Sequence, residues 1–412
     1  MTFYRWSVLE FLFVTLATVV SCFTMIGVSF AQTQALVKQG SVEHIKVHGK
    51  SLEGNLEKDS PDRDVFIYLP PDYATNPTKR YPVVYLLHGY GLTAERWMPF
   101  TKMAEASDKN IAAGTMKGMI LVNPDAYTIY NGSMYSSSVT IGDWESFIAD
   151  DLVSYVDSHY RTIANRDSRG LGGHSMGGYG TIRIGMKRPD VFSSMYIMSA
   201  CCLLNNPRPP AAAGQGARGA APSASATAAT PTAAAAPVAT APAIVPAPAP
   251  TAAPAVSTPA SGQRGAAPTG AAAAPGAGNR GGGGRGGFTN TASAEAAAWS
   301  ANPNNAPKFF DEPVKDGQLQ PLIVAKWLAN SPLAMIDQYV TNLKKYKAIA
   351  GEVGLQDTLK ASNVQLDQMM SDLGLVHTFE TYEGDHTNHV PQRIETRVLP
   401  FFSNNLSFTP TK

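Results

Sequence analysis

Residues 171–179 read Leu-Gly-Gly-His-Ser-Met-Gly-Gly-Tyr and contain the pattern Gly173-x-Ser175-x-Gly177. This pattern is typical of a nucleophile elbow, a sharp turn in which a strand runs directly into a helix and exposes a serine hydroxyl at the carboxyl edge of a sheet. Glycines are expected two residues before and after the serine, because a β-carbon there would collide with the neighbouring strand or helix. The stretch therefore predicts that Ser175 is a nucleophile.

The flanking sequence supports this interpretation. In a chain with 36 glycines the bare pattern has low specificity, so its context has to agree. The segment 168–173 is short and consists mostly of small residues, as expected of a buried strand. Residues 178–186 can continue as a helix with apolar side chains on one face. The alternative, a glycine-rich turn with an ordinary surface serine, fits these flanks less well.

Strand and helix patterns alternate from Tyr81 onward, which predicts an α/β fold with a mostly parallel central sheet and helices on both faces. The run at 81–87, Tyr-Pro-Val-Val-Tyr-Leu-Leu, is continuously apolar, as expected of a strand covered on both sides. The other predicted strands are 42–47, 63–69, 118–123, 195–199, 347–352 and 376–382. The other predicted helices are 93–106, a segment capped by Asp143, 322–329 ending before Pro332, 337–345, 358–373 and a closing helix containing Ile394, Val398 and Phe401.

Charge and cysteine content give no indication of a nucleic-acid partner or of a disulfide framework. The chain has 33 basic and 32 acidic residues, so its net charge of +1 gives no indication of a nucleic-acid partner. Its three cysteines, Cys22, Cys201 and Cys202, do not form a disulfide framework, and free thiols are expected.

The first 31 residues resemble a targeting segment. Residues 11–30 carry no charge, Arg5 precedes them, and Ser29 and Ala31 are small residues placed before a cleavage point. This pattern predicts a signal peptide cleaved after Ala31 and a secreted or periplasmic protein. Two alternatives stay open: an uncleaved membrane anchor, and lipidation at Cys22, where residues 19–22 resemble a bacterial lipobox.

Residues 205–300 are almost entirely Ala, Pro, Gly, Ser and Thr, and five arginines are the only charges between Pro207 and Phe288. Such a segment buries too little apolar surface to offset the entropy of ordering it, which predicts a disordered insertion. The predicted organisation is therefore a signal peptide (1–31), a first part of the α/β domain (32–204), the insertion (205–300), and cap elements with the second part of the domain (301–412). The insertion is either a wall-associating arm or a tolerated expansion of a surface loop, which costs little closure entropy.

A serine hydroxyl attacks a carbonyl only with a base to take its proton and donors to hold the oxyanion. In an α/β-hydrolase these residues follow the order Ser, acid, His. His386 follows the last predicted strand and Asp357 lies in the loop after the strand before it, so they are the predicted base and acid.

Each of these residues has rivals nearby. For the base, His389 is the alternative and His377 is assigned to the last strand; His386 is preferred because Gly384 permits a sharp turn. For the acid, the rivals are Glu352 on a strand, Asp367 within a helix and Asp385 beside the base. Asp357 has an alternative role of its own, the capping of the following helix.

The oxyanion hole is predicted to use the backbone N–H of Met176 and a second N–H from the loop His88-Gly89-Tyr90-Gly91, assigned to Tyr90 with Gly91 as the alternative. His88 and His174 are expected to be structural. The chemistry requires no metal and no organic cofactor. Four aromatic residues are candidates to line an aryl or sugar site: Trp97, Tyr127, Tyr130 and Tyr135.

Three motifs together resemble the esterase family of α/β-hydrolases that contains esterase D, feruloyl and acetyl-xylan esterases, enterochelin esterases and mycolyltransferases. They are Tyr-Pro-Val-Val-Tyr-Leu-Leu-His-Gly from Tyr81, Arg-Gly-Leu-Gly-Gly-His-Ser-Met-Gly-Gly-Tyr from Arg169, and Tyr-Glu-Gly-Asp-His ending at His386. The resemblance covers residues 42–404 apart from the insertion. It implies the α/β-hydrolase fold, the same triad and the same oxyanion amides, whereas the insertion enters where relatives carry short cap elements.

Three functions follow as hypotheses. The leading one is an exported serine ester hydrolase that acts on acyl or aryl esters of sugars or similar alcohols, a small-molecule or carbohydrate substrate. The second is an acyltransferase that passes the acyl group to a sugar or lipid alcohol. The third is a non-catalytic cell-wall or carbohydrate-binding protein, associated with the cell envelope through the leader or the insertion.

Overall fold

A computed structural model describes residues 38–205, Pro207 and residues 291–409. The predicted leader, its cleavage point and Cys22 lie outside these residues, as does nearly all of the predicted insertion. The described residues belong to one compact unit, so the two predicted parts of the domain join in one fold. Within this part of the chain, no helix is long and apolar enough to cross a membrane.

Among the described residues, eight strands form the central sheet, in the spatial order β1-β2-β4-β3-β7-β8-β11-β12. Their bounds are β1 Ser41–His48, β2 Asp62–Leu69, β3 Val83–Leu87, β4 Ile120–Pro124, β7 Arg169–His174, β8 Ser194–Met198, β11 Ala348–Gly354 and β12 Thr378–Tyr382. In this part of the chain two small hairpins lie outside the sheet, β5 Ser137–Ser138 with β6 Gly142–Asp143, and β9 Val314–Lys315 with β10 Gln318–Leu319. The pairs β1–β2 and β2–β4 are antiparallel and the other five pairs are parallel, so the predicted mostly parallel sheet is confirmed.

The helices cover both faces of the sheet. In chain order they are α1 Ala94–Thr101, α2 Met103–Ala112, α3 Trp144–Ser146, α4 Leu152–His159, α5 Met176–Lys187, α6 Ala292–Trp299, α7 Pro321–Leu328, α8 Pro332–Met335, α9 Val340–Leu343, α10 Lys360–Asp372, α11 Val390–Arg393 and α12 Leu399–Asn405. Short 3₁₀ segments lie at Lys50–Leu52, Arg166–Ser168 and Ile336–Tyr339, and π-helical turns at Phe147–Asp151 and Ile394–Val398.

The apolar run of β3 explains why helices lie on both sides. Val83, Tyr85 and Leu87 pack into a core with α3 and α4, whereas Val84 and Leu86 pack into a second core with α1 and α12. Successive side chains of a strand point to opposite faces, so a strand apolar at every position is buried twice. This arrangement leaves the carboxyl ends of the parallel strands free to carry loops at one edge of the sheet.

Three expectations about the helices are corrected. The predicted disordered segment does not extend to Ser300, because residues 292–299 form α6 with Trp299 buried against the core. The predicted helix 93–106 is divided at Lys102, whose left-handed backbone (φ 51°) ends α1 and begins α2. Pro332 does not end the helix before it but begins α8, a position where its missing N–H costs nothing.

Candidate active site

Ser175 occupies the turn between β7 and α5, with a backbone φ of 58° and ψ of −114°. Such a positive φ is strained for a residue with a β-carbon and persists only where the surroundings fix it. The surroundings here are glycines: a β-carbon at Gly173 would lie 2.5 Å from backbone atoms of Gly177, and one at Gly177 would lie 2.0 Å from the Leu87 carbonyl oxygen of β3. The predicted steric reason for both glycines is therefore confirmed.

The structure brings Ser175, His386 and Asp357 together at this edge. The Nε2 atom of His386 lies 2.9 Å from Oγ of Ser175, and its Nδ1 atom lies 2.8 Å from Oδ2 of Asp357. A carboxylate only accepts hydrogen bonds, so Nδ1 carries the proton and Nε2 faces the hydroxyl as an acceptor. This is the geometry in which an imidazole can take the serine proton.

The Asp357 carboxylate is fully buried. Burial opposes its ionisation, but hydrogen bonds from the His386 ring and the Leu359 N–H outweigh burial and hold the pKa of Asp357 below its usual range. Its Oδ1 accepts the Leu359 N–H at 2.8 Å while Oδ2 accepts from His386. Asp357 therefore bonds the histidine and also accepts an N–H of the turn that precedes α10, whose N-cap residue is Leu359.

The loops that carry the acid and the base are held to each other by backbone contacts. The Leu355 N–H donates to the Tyr382 carbonyl at 2.7 Å and the Gln356 N–H donates to the Gly384 carbonyl at 3.0 Å. A β-carbon at Gly354 would lie 2.2 Å from the Gly384 carbonyl oxygen. Gly354 is therefore the glycine that permits the close approach of the two loops. Gly384 has no positive φ, and a β-carbon there would lie 2.6 Å from the His389 ring of its own loop, so its role is close packing within that loop rather than the sharp turn expected of it.

The rival residues have other partners. The Glu352 carboxylate is bonded by Arg393 and Tyr196, and burial raises its pKa. Asp367 bonds His377, which matches the structural role expected of that histidine. Asp385 accepts N–H groups within its own turn, and the ring of His389 packs against Tyr382.

The loop after β3 lies beside the elbow, where the second oxyanion donor is expected. A β-carbon at Gly132 would touch both the Met176 sulfur, at 2.6 Å, and the Tyr90 ring, at 2.9 Å. Met176 begins α5, so its N–H is one of the first-turn donors that have no acceptor within the helix. The N–H of Gly91, the alternative donor, donates to the Asn131 carbonyl at 2.9 Å.

Two of the four aromatic candidates belong to the core instead. Trp97 is 1% exposed and Tyr135 is 0% exposed, so neither offers a face to a ligand. Tyr127 and Tyr130 are partly exposed, and Tyr130 packs edge-on against Phe310 of the segment before β9. The sequence does not distinguish these two residues from the others, because an aromatic side chain presents the same apolar surface whether it lies in a core or in a pocket.

The histidines beside the site differ in their contacts. His88 is fully buried, accepts the Ala126 N–H at 2.9 Å and has a pKa lowered by burial, in keeping with its expected structural role. His174 bonds the His386 carbonyl at 2.8 Å. Sequence reasoning missed this contact, because the two residues are 212 positions apart and no local pattern links them.

The helix α6 contacts the loop that follows β8. Its Glu295 is buried, which raises the carboxyl pKa, and accepts the thiol of Cys202 at 3.4 Å. Cys202 and the buried Cys201 are free thiols, as predicted for this pair. The Cys201 N–H donates to the Ser175 carbonyl at 3.1 Å, so this loop also contacts the elbow.

Comparison with known proteins assigns the family. The family model described as "Putative esterase" matches residues 60–390. The chain therefore belongs to this esterase family, and its sheet and flanking helices are those of the α/β-hydrolase fold.

Curated relatives share part of the chain. An endo-1,4-β-xylanase/feruloyl esterase of Xylanibacter ruminicola is 33% identical over 138 residues, which are 32% of this chain and 19% of that protein. An esterase of Mycobacterium tuberculosis is 33% identical over 131 residues, 32% of this chain and 27% of that protein. The match thus spans about a fifth to a quarter of the length of these two relatives.

Solved structures share the fold. A ferulic acid esterase superposes with a TM-score of 0.55 at 18% identity, covering 90% of this chain and 99% of that one. The fluorophosphonate-binding serine hydrolase F of Staphylococcus aureus superposes with a TM-score of 0.52 at 16% identity, covering 89% and 99%.

Proposed function

We propose that this protein is a serine carboxylic-ester hydrolase in which Ser175 is the nucleophile, His386 the base and Asp357 the acid. The observation that carries the proposal is the position of the His386 ring, which lies within hydrogen-bond distance of Ser175 on one nitrogen and of Asp357 on the other. The family to which the chain belongs supports the same reaction class.

The geometry gives each residue a step. The Ser175 Oγ attacks the ester carbonyl carbon while Nε2 of His386 takes its proton. The tetrahedral intermediate collapses, the alcohol leaves with that proton, and the acyl group stays on Ser175. Water then attacks the acyl-enzyme as the same nitrogen takes a proton from it, and the acid leaves as the Ser175 hydroxyl is restored.

Two neighbours support these steps. Asp357 holds Nδ1 protonated, which keeps the imidazole in the tautomer that accepts from serine and stabilises the imidazolium that forms. The N–H groups of Met176 and Tyr90 are proposed to bind the oxyanion. Removal of one such donor costs roughly 100- to 1,000-fold in rate in a comparable hydrolase.

The proposed substrates are acyl or aryl esters of sugars or similar alcohols. The similarity to a xylanase/feruloyl esterase of Xylanibacter ruminicola supports this class. The partly exposed Tyr127 and Tyr130 are the remaining aromatic candidates for the site. We also propose export through the leader at residues 1–31, which amino-terminal sequencing of protein recovered from culture medium tests by whether the mature chain begins after Ala31.

A panel of acetyl, feruloyl, lipid and thioester substrates tests the proposal, with the full chain and its Ser175→Ala variant assayed side by side. The wild type is expected to release acid from a subset of the panel and Ser175→Ala to release none. Ser158→Ala, on an exposed stretch of α4, is the matched control and should retain full activity. Equal activity of Ser175→Ala and wild type would contradict the proposal.

The same assay distinguishes the other two hypotheses. With a sugar or lipid alcohol present, an acyltransferase forms the new ester at the expense of free acid, whereas a hydrolase forms free acid in either case. A non-catalytic binding protein turns over nothing in the panel and leaves Ser175 unmodified by a serine-directed phosphonate.

A further inference from the structure

The residue immediately before Ser175 contacts the loop that carries the proposed base. Nε2 of His174 lies 2.8 Å from the backbone carbonyl oxygen of His386, and the two imidazole rings are 4.6 Å apart between centroids. A carbonyl oxygen only accepts, so Nε2 of His174 must carry the proton and donate it. This bond joins the segment that carries the serine to the loop that carries the base, although Ser175 and His386 are 211 positions apart in the sequence.

His174 itself is held on several sides. It is the last residue of β7, in register with Met198 of β8, so the sheet fixes its backbone. Its ring stacks on Trp97 of α1, with centroids 6.0 Å apart and an 18° angle between the planes. It is 4% exposed. A side chain packed in this way has few other rotamers to visit, so the position of its donor atom is defined.

The ring of His174 is also neutral at physiological pH. Burial and the nearby His386 lower the pKa of His174 to about 3. It therefore donates from Nε2 without adding a positive charge beside His386, which itself becomes cationic when it takes the serine proton. A charged ring at 4.6 Å would oppose that protonation.

We propose that His174 is a positioning residue for the reaction: its Nε2–H, donated to the His386 carbonyl, sets the distance between the base and the serine that follows His174 in the chain. The path from Ser175 to the base loop then consists of one peptide bond, one rigid side chain and one hydrogen bond. A tether this short constrains the base more tightly than the rest of the loop, where Asp385, Thr387 and Asn388 are exposed. This inference rests on the proposed hydrolase function.

Three variants of His174 test the proposal. In His174→Gln the amide nitrogen occupies nearly the place of Nε2 and can still donate, whereas in His174→Asn the amide occupies the place of Nδ1 and falls short. His174→Phe keeps a ring on Trp97 but has no donor. We expect kcat to fall roughly 10- to 100-fold in the Asn and Phe variants, as for a reacting group displaced by about 1 Å. KM should change little and His174→Gln should stay close to wild type.

Crystal structures of the same variants give a readout that does not depend on turnover. The separation between Nε2 of His386 and Oγ of Ser175 should stay near the wild-type 2.9 Å in His174→Gln and lengthen beyond hydrogen-bond distance in His174→Asn. If His174→Asn does not fold, as judged by thermal unfolding, the comparison of Gln with Phe decides. Wild-type kcat in the Phe or Asn variants, or an equal loss in all three, would overturn the proposal.

Failure of the proposed hydrolase function can be distinguished from failure of the positioning role of His174. A wild type that hydrolyses no ester and is not modified by a fluorophosphonate removes the hydrolase assignment. The distances in the variant structures would still show whether His174 positions His386.

Discussion

The two sides of the candidate site are held in place by different kinds of contact. On the elbow side, Ser175 is fixed by backbone packed against backbone, with glycines at 173 and 177 because no side chain fits. On the cap side, which we define as residues 291–331 and the segment 124–141 beneath them, large side chains make the contacts. Trp299 packs on Tyr179 and edge-on against Trp327.

We relate the two kinds of contact to two tasks of the site, catalysis on the elbow side and substrate recognition on the cap side. Backbone contacts leave no room for adjustment, which suits atoms that must stay within hydrogen-bond distance during catalysis. Side-chain contacts can repack, because volume-conserving changes in a core usually cost little. We therefore expect substitutions at the elbow and triad to change kcat and substitutions on the cap side to change stability and substrate choice.

The largest effect is expected from Asp357→Asn. An amide at this position favours the wrong imidazole tautomer of His386, and the equivalent change in a serine protease lowers kcat roughly 10,000-fold. Asp385→Asn is the matched control, since among the described residues this exposed carboxylate accepts only from the N–H and hydroxyl groups of its own turn. Steady-state kinetics on an aryl ester compares the two, and similar kcat values for both variants would contradict the assigned acid.

Gly177→Ala should have the next largest effect. Its β-carbon would lie 2.0 Å from the Leu87 carbonyl oxygen, so the elbow or β3 must move. Overpacking of this kind costs typically 1–3 kcal/mol of stability, and a displacement of about 1 Å costs roughly 100-fold in rate.

Gly317→Ala on the cap side is the control for Gly177→Ala. Gly317 has a positive φ of 73°, whereas Gly177 lies within helix α5, and nothing lies within 4 Å of a β-carbon added at Gly317. It should lose about 1 kcal/mol from backbone strain and keep its kcat. Equal kinetic losses in the two alanine variants would show that backbone packing is not what distinguishes the elbow.

Trp299→Ala should lower stability more than rate. Removing this buried ring leaves a cavity beside Tyr179 and Trp327, and such changes cost about 3–5 kcal/mol. Trp299→Phe keeps most of the ring and loses chiefly the Nε1–H bond donated to Ser136 at 3.2 Å, worth about 1 kcal/mol. Urea unfolding of the three proteins checks the order, and a larger fall in kcat than that of Gly177→Ala would break the proposed division.

The smallest effect on kcat is expected at Glu57, whose N–H donates to Thr140 of the cap side. Burial and the neighbouring Asp59 raise the pKa of Glu57 to about 9. Between its unfolded pKa of about 4.3 and this value the folded state binds a proton that the unfolded state lacks, so stability falls as pH rises through that window. Glu57→Gln should therefore lose less Tm than wild type between pH 5 and pH 9. The exposed Glu105→Gln is the control, and an unchanged pH slope in Glu57→Gln would contradict the shift.

The parts of the fold that sequence predicted are those with a local cause. The continuous apolar run of β3 and the glycines of the elbow follow from sterics within a few residues. The order of serine, acid and histidine follows from how a parallel sheet arranges its carboxyl ends. These causes sufficed to place Ser175, Asp357 and His386 at one edge, and their catalytic roles stay a proposal.

The parts that sequence did not predict depend on partners far along the chain. The stretch 292–299 is alanine-rich like the segment before it, but it contains no Gly or Pro, and its residues 294–299 are buried against the rest of the fold. The sequence predicts only a structural role for His174, because its bond to His386 forms between residues 212 positions apart and needs the completed sheet. Trp97 and Tyr135 were candidates for a pocket because burial cannot be read from residue type alone.

The role of Ser175 as nucleophile is tested by modification of the full chain with a fluorophosphonate, followed by mass spectrometry of the proteolytic peptides. One adduct is expected, on Ser175, which is absent from Ser175→Ala and forms far more slowly in Asp357→Asn. An unmodified wild-type protein, or an adduct on another serine that persists in Ser175→Ala, would contradict it.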